Sequence, residues 1–164
     1  MITLERVLVA TDFSEAAEAA FAYGREIART FGATLEVLHV VENVYTRLAI
    51  DGFTPADPDL QQTFEEAARK RLNDLLCDED RSQLHAKPVI LVSNAPAFAI
   101  ATYARDGHID LVVMGTHGRR GVAHFLMGSV AERVVQIAPC PVLTVRHPEH
   151  EFVLPDALVA VAKA

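Results

Sequence analysis

From the end of one apolar run the chain reads Gly115, Thr116, His117, Gly118, Arg119, Arg120, Gly121 and, after six intervening residues, Gly128 and Ser129. Four of its eight glycines fall within these fourteen positions, a concentration that composition alone would not give. Glycine admits positive φ and lets another group approach its amides closely, so such a loop can aim several N–H groups at one anion. A helix beginning at Ser129 adds its unpaired amides and partial positive charge. The chemistry these residues suit is phosphate binding by backbone donors. Gly115-x-x-Gly118 alone would be a turn and Gly128-Ser129 alone a helix start, so the phosphate reading rests on the full spacing. The lysine of G-x-x-x-x-G-K-[ST] is absent, and so is the dinucleotide fingerprint G-x-G-x-x-G.

A second candidate segment is Ala10, Thr11, Asp12, Phe13 and Ser14. Asp12 is either a site carboxylate or a charge placed at the start of the next helix. Other reactive residue types have plain structural readings. His39 sits in an apolar run and packs or hydrogen-bonds there, while His124 and the His147/His150 pair read as solvent-facing rather than metal-ligating. Cys140, between two prolines, reads as a packed thiol. Arg119 and Arg120 suit phosphate or an exposed loop equally, and Arg69, Lys70 and Arg71 read as the solvated face of a helix.

The elements that must position these residues alternate. Five short β-branched runs, 7–10, 35–41, 89–92, 111–114 and 142–145, read as buried strands. Between the first two, Ala17, Ala20, Phe21, Gly24, Ile27, Ala28 and Phe31 keep the spacing of one helical face, with Ser14 as cap and Gly32 as stop. Leu60, Phe64, Ala68, Leu72 and Leu75 mark a second helix, and 96–106 a third that stops at Gly107. A fourth is expected from Ser129, with Ser129 and Glu132 as a capping box. Strands alternating with four helices predict a doubly wound α/β domain, a parallel sheet covered on both faces. In such sheets ligands collect at the carboxyl ends of the strands, where both candidate segments lie. The connection 42–59, with Gly52, Pro55 and Pro58, breaks the rhythm and reads as either a lid or a surface loop. The tail after Arg146 carries Leu154, Leu158 and Val161 at helical spacing around Pro155, the pattern of a short docking helix.

The 164 residues suffice for one domain. A net charge of −7 with few basic clusters argues against nucleic acid as a partner. No run is long enough to cross a membrane and no signal segment precedes the first strand, so a cytoplasmic protein with Cys77 and Cys140 as reduced thiols is expected.

Gly115-x-x-Gly118 followed after nine residues by Gly128-Ser129 resembles the ATP-binding signature of universal stress proteins. Thr11-Asp12-Phe13-Ser14-Glu15, Leu38-His39-Val40 and Pro139-Cys140-Pro141-Val142 agree with the same family. The resemblance spans about residues 6–146, giving a domain over 1–146 and a tail over 147–164. It implies a Rossmann-like, adenine nucleotide alpha hydrolase-like open sheet of five strands in the order 3-2-1-4-5. It also implies a site built from Ala10, Asp12, Val40, Met114, Gly115, His117, Gly118, Arg119, Gly128, Ser129 and Val130. In the family pattern Asp12 and the backbone near Val40 hold adenosine, and the glycine loop surrounds ribose and phosphates. Ala131 stands where some ATP-binding members carry a hydroxyl, which removes one phosphate contact.

The ligand implied is ATP with Mg²⁺, and the assembly implied is a homodimer through the fifth strand. The function implied is that of a nucleotide-dependent stress or signalling module with no catalytic residues and no protein metal site. Two alternatives stay open at this level: a slow ATPase or phosphotransfer protein, and a nucleotide-free dimerisation and docking domain.

Overall fold

The computed structural model of the protein describes residues 1–52, 57, 59–116 and 128–146. Along them run β1 (Arg6–Ala10), α1 (Glu15–Phe31), β2 (Thr34–Val41), α2 (Val44–Ile50), α3 (Leu60–Leu75) and α4 (Asp78–Gln83). There follow β3 (Lys87–Val92), α5 (Pro96–Asp106), β4 (Leu111–Gly115), α6 (Ser129–Ile137) and β5 (Val142–Val145). All neighbouring strands are parallel, in the order β3-β2-β1-β4-β5, so the doubly wound open sheet is present with the expected order. Among the described residues no helix is long and apolar enough to cross a membrane.

Strand alternation divides the core in two. Val7, Val9, Leu35 and Val37 point to the face covered by α1 and α3, with Phe21, Ala28 and Leu72. Leu8, Ala10, Leu38, Val112 and Met114 point to the face covered by α5 and α6, with Ile100, Ala104 and Val134. Both faces of the sheet are thus buried, which is why its strands are near-continuous apolar runs.

Helix α1 begins where the Ser14 hydroxyl accepts the Ala17 N–H at 3.3 Å and ends at Gly32 in the left-handed region, φ 66°. Glu15 and Glu18 in its first turn and Arg29 in its last complement the helix dipole. Its buried face is made of small residues around Phe21. A Cβ on Gly24 would fall 2.3 Å from Cγ2 of Val9, so the helix lies on β1 at a separation that only glycine permits.

Two expectations change. The described residues hold six helices rather than four, the additional ones being α2 and α4. Each is too short for a repeating apolar stripe, although Val44 and Leu48 share one side of α2, and each is secured by side chains at its start. The Asn43 side-chain Oδ1 accepts the Thr46 N–H at 3.0 Å, and the Asp80 carboxylate reaches back to the Cys77 N–H at 3.1 Å. The second change concerns α6, whose cap is Gly128 and not Ser129, with no side-chain capping bond. The Gly128 N–H donates to the Thr116 carbonyl at 2.6 Å and its own carbonyl accepts the Glu132 N–H at 2.9 Å. The chain is therefore already committed to the helix when it reaches Ser129.

At the amino ends of the strands the fully buried carboxylate of Glu36 accepts from the Arg6 guanidinium and from the Tyr103 hydroxyl, the latter at 2.5 Å, with Lys87 Nζ at 3.3 Å. Burial by itself would raise the Glu36 carboxyl, but Tyr103, Arg6 and Lys87 outweigh it and hold the group below its usual 4.5. Burial and the neighbouring carboxylate push Tyr103 up to about 12.

A carboxyl lowered by folding stabilises the fold above its unfolded value, and that contribution is lost as pH falls through the folded value. A phenol raised by folding loses its contribution as pH climbs from its ordinary 10.0 toward about 12. Urea unfolding should therefore show stability falling on both sides, below the ordinary Glu36 value of 4.5 and above 10.0. Glu36→Gln should cost about 1.5–3 kcal/mol at neutral pH and flatten the acid limb, and Tyr103→Phe should flatten the alkaline limb. An unchanged acid limb in Glu36→Gln would remove this cluster from the pH response.

Candidate functional site

The sheet order puts the switch point between β1 and β4, whose connections leave toward opposite edges. Over their carboxyl ends lies a cleft of about 1280 Å³ bounded by described residues. Ala10, Asp12, Val40, Met114, Gly115, Gly128, Ser129 and Val130, drawn from four separate stretches of chain, all line it. These are all of the expected site residues that are described. His117, Gly118 and Arg119, together with Arg120, Gly121 and His124, lie outside the described residues.

The floor is the turn from β1 into α1. Thr11 N–H extends the sheet to the Leu38 carbonyl at 2.9 Å, and the Thr11 side chain accepts the Phe13 N–H at 3.0 Å. Phe13 sits at φ 62°, the left-handed region, a conformation that costs a bulky residue ~1–3 kcal/mol and persists only where the surroundings enforce it. Its ring is held between His39, with centroids 4.6 Å apart, and the Arg71 guanidinium at 4.0 Å. His39 Nδ1 lies 2.7 Å from the Thr11 carbonyl, which only accepts, so this nitrogen carries a proton.

Asp12 stands both at the start of α1 and on the cleft wall. One carboxylate oxygen accepts the Ser14 N–H at 3.1 Å and the Ser14 hydroxyl at 2.6 Å, building the turn that caps α1. The same residue lines the cleft.

On the β4 side, Gly115 has a steric cause. A Cβ there would come 2.9 Å from the carbonyl carbon and oxygen of Ala16, so the first turn of α1 lies directly against it. The Thr116 N–H donates to the Val145 carbonyl at 2.8 Å, and the Gly128 N–H closes back onto Thr116, which draws the two ends of the segment 117–127 together. Helix α6 then starts at the cleft wall. The amides of Ser129, Val130 and Ala131 have no intrahelical acceptor and carry the positive end of the helix dipole, an arrangement suited to an anion.

The cleft reaches further than expected, because α2 and α3 contribute Val44, Arg47, Leu48, Phe64, Ala68 and Arg71 to it. Arg71 is exposed, as Arg69 and Lys70 are, so the basic run does lie on a solvated face, but the Arg71 guanidinium also stacks on Phe13 and lines the cleft. It lies three and seven residues beyond Ala68 and Phe64, and helical spacing places it on their face. That spacing was the available signal, and the basic triplet hid it. The connection 42–59 supplies part of this wall through α2, where Arg47 pairs with Glu42 at 2.7 Å. Cys140 packs against the α5/α6 side of the core; burial pushes its thiol up, which is the opposite of what a nucleophile needs.

Residues 3–146 match the model of the universal stress protein family. Among curated proteins, the chain is 30% identical over 148 residues to a universal stress protein of Methanocaldococcus jannaschii, covering 90% of this chain and 85% of that one. It is 34% identical over 146 residues to one from Thermus aquaticus, covering 85% and 97%. Among solved structures, MJ0577 superposes with a TM-score of 0.74 at 25% identity, covering 91% of this chain and 100% of that one.

The contact at Gly115 generates a direct test. Gly115→Ala should lower unfolding stability by about 1–3 kcal/mol, because the added methyl meets backbone and not a movable side chain. Denaturant titration would measure this, and a cost below ~0.5 kcal/mol would show that α1 does not bear on β4 here.

Proposed function

Because the chain belongs to the universal stress protein family, we propose that it binds an adenine nucleotide, ATP with Mg²⁺, as a regulatory ligand of a stress-response or signalling module. The observation that carries this reading is the convergence on one switch-point cleft of Asp12, Val40, Gly115 and the start of α6. The lobe on the α5/α6 side suits the parts of such a ligand. Ala10, Val40 and Met114 offer an apolar wall to the base, Asp12 a carboxylate to the ribose hydroxyls, and the amides of 129–131 donors to phosphate. Structures of two universal stress proteins, each 22% identical to this chain, are described as complexes with cAMP and with dAMP, so the fold accommodates adenine mononucleotides.

No cluster of three His, Cys, Asp or Glu side chains among the described residues is arranged to hold a metal. In this reading Mg²⁺ travels with the phosphates, as it does where proteins provide at most a carboxylate or two. The nucleotide is a ligand rather than a substrate in this reading, since the cleft presents phosphate donors without a Walker lysine.

Calorimetric titration with ATP, ADP and adenosine tests the assignment. Gly118→Val should weaken ATP and ADP selectively, with adenosine little affected. Asp12→Ala should weaken all three by ~1.5–3 kcal/mol, the range for hydrogen bonds to a charged group. Unaltered ATP affinity in Gly118→Val, with the fold intact by circular dichroism, would leave the glycine loop as a structural turn.

The outer edge of β5 has no partner strand among the described residues, and an unpaired apolar edge invites a copy of itself. A homodimer through 142–145 is the assembly proposed. Sedimentation at micromolar concentration should give twice the chain mass of 17.9 kDa, and a single species at that mass would refute it.

A further inference from the structure

The cleft has a second lobe that a nucleotide on the α5/α6 side leaves unfilled. Val40 packs toward α5 and α6, whereas Phe13 packs toward α1 and α3 on the other face of the sheet. The cleft therefore folds over the carboxyl ends of β1 and β2, and its second part is walled by Val41, Val44, Leu48, Phe64, Ala67 and Ala68. The whole volume of about 1280 Å³ exceeds the ~300–1,000 Å³ of ordinary small-ligand sites, leaving room for a second occupant.

The charge at the edge of this lobe is specific. Arg71 forms no ion pair with any carboxylate among the described residues. Nearby charges are matched elsewhere, Arg47 with Glu42 at 2.7 Å and Asp74 with Lys70 at 2.6 Å, and Glu18 stands across the adjoining hollow without pairing to it. Stacking on Phe13 at 4.0 Å fixes the plane of the guanidinium and leaves its edge donors for a planar anion. Phe13 is in turn held by His39 and by its left-handed backbone, so the platform is preformed.

We propose that this lobe binds a small amphiphilic carboxylate, its apolar body against Leu48, Phe64 and Ala67 and its carboxylate on Arg71. The two lobes adjoin along the turn 11–13 and the end of β2, and with each ligand in its own lobe this one and the nucleotide bind together rather than in competition. The inference rests on the cleft and not on the nucleotide assignment.

Sodium decanoate, decyltrimethylammonium and ATP, titrated separately by calorimetry, test it. Decanoate should bind at one site per chain with a Kd below about 1 mM, and the cationic probe at least about tenfold more weakly. Arg71→Gln, an exposed position, should weaken decanoate about tenfold or more. ATP should stay within about twofold, as expected for separated sites. Ala67→Trp, which fills the lobe from an exposed position, should abolish decanoate binding and spare ATP. The proposal is overturned by absent decanoate binding, by equal binding of the cation, by an unchanged Arg71→Gln variant, or by stoichiometric displacement of decanoate by ATP. Decanoate binding without ATP binding would uphold this lobe and remove the nucleotide reading instead.

Discussion

The approach of α1 to the centre of the sheet is the constraint on which the rest depends. The helix touches β1 where Gly24 faces Val9 and touches β4 where Gly115 faces the backbone of Ala16, at distances that exclude even a methyl group. With its first turn pinned this way, the link from β1 into α1 must turn sharply within a few residues. Phe13 takes a left-handed conformation to do so, and Asp12 and Ser14 close the turn with their side chains. The floor of the cleft is thus a product of helix packing.

A second constraint acts at the far end of the sheet, where two buried carboxylates are paired with cations from other elements. Glu36 ties β2 to β1 and α5 through Arg6 and Tyr103. Asp80 ties α4 to α1, its carboxylate taking Arg25 at 2.7 Å. Burial would raise this acid too, but the Cys77 thiol and amide and then Arg25 hold it below its ordinary 3.8. The Asp80 carbonyl also accepts the Leu84 and Ala86 amides, which sets the entry into β3. Removing one partner of such a group would strand a buried charge, so these contacts fix alignment more than they add net stability.

Division of the cleft follows from the strand pleat. Consecutive residues of β2, His39 and Val40, turn to opposite faces, so one short segment lines two chemically different lobes. One lobe faces the amides at the start of α6; the other faces the apolar side of α2 and α3 and the stacked Arg71. A single switch point can in this way serve two ligand chemistries without a second domain.

The sequence by itself determined the five strands, the capped α1, the α3 and α5 helices, and the family whose pattern gives the strand order. Those are read from apolar periodicity, from Ser14 and Gly32 as end signals, and from the spacing of Gly115, Gly118, Gly128 and Ser129. It also marked Asp12 and Gly115 for one cleft, and the described part of the expected site does converge there. Tertiary structure alone decided that Gly115 is a glycine because Ala16 presses on it, that Gly128 and not Ser129 caps α6, and that α2 and α4 are helices at all. It alone brought together His39 of β2, Phe13 of the β1–α1 turn and Arg71 of α3. Periodicity reports which side of an element meets apolar matter. Which elements then meet, and how closely, is fixed by packing between segments far apart in the chain, and a local pattern carries no record of that distance.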